Sequence, residues 1–185
     1  MYMHNTEVCG ISHDRLNFTT FDTPKEAHED GSVVHCGSCG DCSNFNDMEI
    51  YARTRDTLTG SSTKCAFLML MGRKFVSDCL QRDVGFTAPC SDCWQDNIQC
   101  TVSACKFTCF KQKMFGGKSN NGDGGKLNAC LRCDEVMCGP RFVTCSGSNR
   151  RRMGIVSDID RDGDNEQCKE VDVDWGEAIP AQPVV

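Results

Sequence analysis

Sixteen cysteines in 185 residues constrain this chain more than any other feature. So many sulfurs must bond one another, hold a metal or carry electrons, and each choice implies a different cellular compartment. The stretch HCGSCGDC sets Cys36, Cys39 and Cys42 within seven positions. Fourteen of the sixteen lie between Cys36 and Cys145, while Cys9 and Cys168 stand alone towards the two ends. The count is even, so every thiol can pair. The set Cys9, Cys36, Cys39, Cys42, Cys65, Cys79, Cys90, Cys93, Cys100, Cys105, Cys109, Cys130, Cys133, Cys138, Cys145 and Cys168 reads as a disulfide framework of open connectivity.

Sulfurs in such a pattern have three other uses. An iron–sulfur motif of the C-x2-C-x2-C type needs a fourth cysteine where Asn46 stands. A thioredoxin-like dithiol at Cys36 and Cys39 needs a βαβ frame, and the sequence lacks that alternation. Zinc is the alternative reading. Cys36/Cys39, Cys90/Cys93 and Cys130/Cys133 are CxxC knuckles, which would make the protein an intracellular zinc-binding scaffold. Only four histidines are available as further ligands, and the knuckles lie far apart in the chain.

Charge divides the chain in three. Residues 1–35 carry two basic and six acidic side chains, residues 36–152 sixteen and eleven, and residues 153–185 two and nine. The net charge of −6 excludes a general affinity for nucleic acid. No window is apolar enough to span a membrane, and no signal peptide is visible at the start. The expected organisation is an extended acidic arm (1–35), a cysteine-rich helical domain (36–152) and an acidic tail (153–185). The expected fold is mainly α: a small disulfide-stapled helical bundle with largely irregular arms.

Local signals place the helices. Asn46 is the expected N-cap of a helix over 47–58, stopped by Gly60. A second helix is expected over 63–83, with Cys65 and Cys79 on one side and Gly85 as its stop. Thr87 should cap a third helical segment running to residue 110, with Pro89 in its first turn and a register shift near Thr101. Asn128 should cap a short helix holding Cys130 and Cys133.

Two surface motifs complete the candidate sites. Asp158, Asp160, Asp162 and Asp164, with Gly163, have the alternating rhythm of a calcium loop, although Lys169 stands where the bidentate glutamate belongs. Asn17-Phe18-Thr19 is a glycosylation sequon. No catalytic motif is present, so no catalytic residue and no cofactor beyond these metals is expected, and the chain reads as non-enzymatic.

The stretches HCGSCGDCSN, LTGSSTKCAF, VGFTAPCSDCW and CDEVMCGPRFVTCSG resemble a set of uncharacterised cysteine-rich proteins of single-celled algae and related protists, over about residues 35–175. The resemblance implies an extracellular or lumenal protein and carries no assigned activity. The expected function is a secreted structural or interaction protein. Its partner is another extracellular protein or a second copy of itself, in a homo-oligomer or filament whose acidic arms contact a neighbour's basic body.

Overall fold

The computed structural model describes residues 6–14, 17–116, 120–121, 127–159 and 167–175. Strands β1 (Val8–Ser12), β2 (Phe18–Phe21) and β3 (Gly31–Cys36) form an antiparallel sheet in the order β2-β1-β3, and helix α1 (Pro24–Asp30) packs on it. The body is helical: α2 (Phe45–Arg53), α3 (Leu58–Ala66), a 3-10 turn (Phe67–Leu70), α4 (Arg73–Cys79), a π turn (Leu80–Val84), α5 (Ala88–Ala104), α6 (Lys106–Phe115), α7 (Ala129–Met137) and α8 (Gly139–Ser146).

The mainly helical, disulfide-stapled fold is as expected, but the described residues of the 1–35 segment form a sheet and a helix rather than an extended arm. Alternation along β1 sends Val8 to one face, where it meets Val33 and Ala27 of α1. Cys9 and Ile11 go to the other face, where they join Val34 and the main core. The short strands escaped a pattern reading because Gly10 interrupts β1 and its second partner, β3, lies beyond both β2 and α1 in the chain. Pairing supplied what local propensity did not.

The expected helix over 63–83 is broken, and sulfur shows why. A continuous helix would hold Cys65 and Cys79 about 21 Å apart. They are bonded instead, with Cα atoms 5.6 Å apart. The chain reverses at Gly72, whose φ of +126° is open to glycine and strained for other residues. Helix α2 begins two residues earlier than expected, because the Asn44 side chain rather than Asn46 accepts from the Asp47 N–H at 3.0 Å. Gly60 lies inside α3. The Gly85 stop, Thr87 start and Asn128 cap are where local signals put them, and the break in the third segment falls at Cys105.

An aromatic group anchors the helices. Tyr51, Phe86 and Trp94 lie against one another, and Trp94 also meets Phe142, with ring centres 4.9 Å apart. The indole N–H of Trp94 donates to the Tyr51 hydroxyl at 2.8 Å. That bond satisfies two polar atoms that burial would otherwise penalise. Burial also pushes the Tyr51 phenol well above its ordinary pKa.

Candidate functional site

The sulfur cluster at 36–42 is a junction. Cys39 bonds Cys9 in the sheet, Cys36 bonds Cys168 in the tail, and Cys42 bonds Cys90 at the start of α5. Cys93–Cys145, Cys100–Cys138, Cys105–Cys133 and Cys109–Cys130 staple the remaining helices, and no cysteine is left free. The zinc alternative is thereby overturned, since a thiolate is needed to ligate zinc and a disulfide sulfur is not one. Asp41, Asp47 and Asp83 each stand close to two cysteines, but in every case those cysteines are bonded to each other. The two lone cysteines, Cys9 and Cys168, tie their own arms to the body and do not reach a neighbour.

The junction is held by close backbone contact as well as by sulfur. The N–H groups of Asp41 and Cys42 donate to the carbonyls of Cys145 and Ser146, both at 2.9 Å. Gly147, at φ +67°, passes so close that an added Cβ would lie 2.2 Å from the Gly40 nitrogen. Beside it, His35 is fully buried and bonded to Ser43. A backbone carbonyl only accepts, so Nδ1 carries the proton given to the Cys36 carbonyl at 3.0 Å. Nε2 then accepts from the Ser43 hydroxyl at 2.8 Å. This spacing suits a nucleophile and its base. Both residues are buried, however, and the Ser43 oxygen is enclosed by Gly40 and Gly147. The pair is a structural clasp.

Burial lowers the His35 pKa from its ordinary value of 6.5 to about 4, against the smaller raising effect of its bond to Cys36. The folded state therefore keeps the ring neutral, while the unfolded chain takes up a proton below pH 6.5. Stability from this group is complete above pH 6.5 and falls as the pH drops towards 4, by about 3 kcal/mol in all. In urea unfolding from neutral pH down to about pH 4, wild type should lose that increment and His35→Gln should not. Parallel curves for the two proteins would sink the assignment.

A cleft of about 260 Å³ opens between α3, α5, α7 and α8. Trp94 and Phe142 give it an aromatic wall, and Asp134 and Asn97 give it a polar edge. Asp134 accepts from Asn97 Nδ2 at 3.2 Å and from the Thr101 hydroxyl. Burial raises its pKa, and those two bonds partly oppose the shift. Asn97 Oδ1 is buried without a donor among the described residues. The cleft thus suits a ligand with an apolar body and a hydrogen-bond donor.

Arg150, Arg151 and Arg152 also line the cleft. Arg150 donates to Asp158 Oδ1 at 3.0 Å, and Asn120 donates to Asp158 Oδ2 at 2.7 Å. The first carboxylate of the candidate calcium loop therefore already has a donor on each oxygen. Asp160, Asp162 and Asp164 lie outside the described residues. Asn17 is exposed at the entry to β2, where an enzyme can reach it.

A feature that the sequence reading missed lies on α6. Phe107, Phe110 and Met114 occupy positions i, i+3 and i+7 and are 80%, 65% and 60% exposed. Phe115, at the helix end, is 80% exposed. Cys105 and Cys109 take the opposite side and bond α7. The signal was legible as two apolar faces on one ten-residue helix, of which a single neighbour can cover only one.

A model of a family of unknown function (DUF8771) matches residues 73–170, from α4 to just beyond the Cys168 bridge. Neither the curated proteins nor the solved structures hold a match to this chain. With more than half of its length covered by that model, the chain belongs to the DUF8771 family, whose function is unknown.

Proposed function

We propose that this protein is a non-enzymatic interaction module that works outside the reducing cytosol, through a surface held rigid by sulfur. One observation carries the reading: all sixteen cysteines are paired, in eight bridges that tie both arms to the body. Such a framework persists in oxidising compartments and is dismantled in reducing ones. It also removes every thiol from catalysis and metal binding. A rigid surface binds with little ordering cost, which favours recognition.

The arms enter this proposal differently from the sequence-based expectation. Asp172 of the tail meets His28 of the first arm at 3.0 Å, and Asp158 meets Arg150 of the body, so these acidic side chains engage their own molecule. Assembly of copies into oligomers or fibres would then rest on non-covalent surface contacts. Native protein from its source organism should have an unreduced mass lower than the reduced mass by two hydrogens per bridge. Alkylation without reductant should label no cysteine. Extensive labelling of native material would reject the reading.

A further inference from the structure

We infer that α6 is a docking element for an anionic lipid surface, holding the molecule against a bilayer by an aromatic ridge bordered with lysines. On a helix of 3.6 residues per turn, Phe107, Phe110 and Met114 fall within an arc of roughly 60°. Lys106 and Lys113 border that arc on one side and Lys111 on the other. Apolar groups along the crest with cations on both shoulders are what an interfacial helix presents: the rings enter the acyl boundary while the ammonium groups stay at the phosphates.

Three observations show that the exposure belongs to the fold. Two bridges, Cys105–Cys133 and Cys109–Cys130, grip α6 from the side opposite the ridge, so it cannot roll inward to hide its rings. No residue of α6 is buried. The neighbouring 3-10 turn extends the same chemistry: Phe67 is 56% exposed, and the Lys113 ammonium sits 4.0 Å from its ring centre.

Charge selects the occupant. From residue 97 to residue 122 the chain has four lysines and no acidic residue, although the whole protein carries −6. Among the described residues, none of the three α6 lysines sits in an ion pair. A second copy docking ridge to ridge would crowd six ammonium groups at one seam. An acidic polypeptide would answer the lysines and leave the aromatic crest in water. An anionic bilayer answers both, because it is charged at the surface and apolar beneath.

The inference rests on the interaction-module reading, which the disulfide mass measurement tests separately. The experiment is co-flotation of the oxidised full chain with phosphatidylcholine vesicles, with and without phosphatidylserine. Partition should require phosphatidylserine and weaken as salt is raised. Phe107→Ser with Phe110→Ser should lower it at least about tenfold, and each of Lys106→Gln, Lys111→Gln and Lys113→Gln about fivefold. All five positions are on the open face of α6, and unchanged circular dichroism and unreduced mass would verify folding. No partition of folded protein, equal partition onto vesicles lacking phosphatidylserine, or variants that bind as wild type would each overturn the inference. So would a ridge that serves self-association or capture of polyglutamate while vesicles stay bare.

Discussion

Replacing Cys42 and Cys90 together with alanine should lower the unfolding free energy by about 4 to 5 kcal/mol, more than loss of any other bridge. The bridges Cys36–Cys168, Cys42–Cys90 and Cys93–Cys145 close one ring with segments 36–42, 90–93 and 145–168, about 35 residues of chain. Opening Cys36–Cys168 or Cys42–Cys90 releases that ring, at a chain-entropy cost of about 4 kcal/mol, whereas Cys93–Cys145 is backed by Cys100–Cys138 across a loop of about 14 residues and costs about 3 kcal/mol. The 132-residue separation of Cys36 and Cys168 gives no extra advantage, because the other bridges already shorten that loop.

Burial ranks the other two, Cys42–Cys90 above Cys36–Cys168. Cys42 and Cys90 are both 0% exposed in the main core, and alanine there also removes two packed sulfurs. Domains are stable by about 5–15 kcal/mol, so the double variant should sit near the edge of folding. Urea unfolding without reductant, beside a Cys36→Ala/Cys168→Ala variant, measures the order. A greater loss for the Cys36/Cys168 pair would show the ring argument to be wrong.

Asp47→Ala is the second large effect, at about 3 to 4 kcal/mol. The carboxylate is 0% exposed at the start of α2. It accepts from Asn44 Nδ2 at 2.6 Å, from Asn46 Nδ2 at 3.2 Å, and from both the N–H (2.7 Å) and the hydroxyl of Thr87. One side chain therefore satisfies the entry of α5, whose Thr87 makes no capping bond of its own, and braces α2 against it. Alanine removes four charge-assisted bonds at once and leaves the half-buried N–H and hydroxyl of Thr87 without their acceptor, while Asn44 and Asn46 keep their bonds to the Asp41 and Gly85 carbonyls. Asp47→Asn should cost about half as much, because one carbonyl oxygen still accepts while its amide faces donors. Thermal melts of the two variants give the comparison, and equal melting temperatures would remove the proposed role.

Legibility followed the range of the forces. Gly85 and Asn128 act within a few residues of their own position, and each marks the boundary it was expected to mark; Thr87 also marks the start of α5, although Asp47 of α2 satisfies its polar groups. The sheet depends on β1 meeting β3 across more than twenty residues, and its short strands carry no pattern strong enough to announce it. Gly72 lies inside the helix expected over 63–83, and only the Cys65–Cys79 bridge shows that the chain reverses there. The α6 ridge was hidden for a related reason: an apolar stripe beside cysteines reads as core, and nothing local says that the sulfurs take the inner side.

Composition and spacing alone determined that sulfur chemistry governs this protein and that its body is helical. An even, dense set of cysteines and short-range capping residues act before any long-range contact forms. Which sulfur meets which, the folding of the first arm into a sheet and the outward turn of the phenylalanines on α6 were decided only in three dimensions. Bond formation between distant residues depends on the distance between them in the folded chain, and no local propensity encodes that distance.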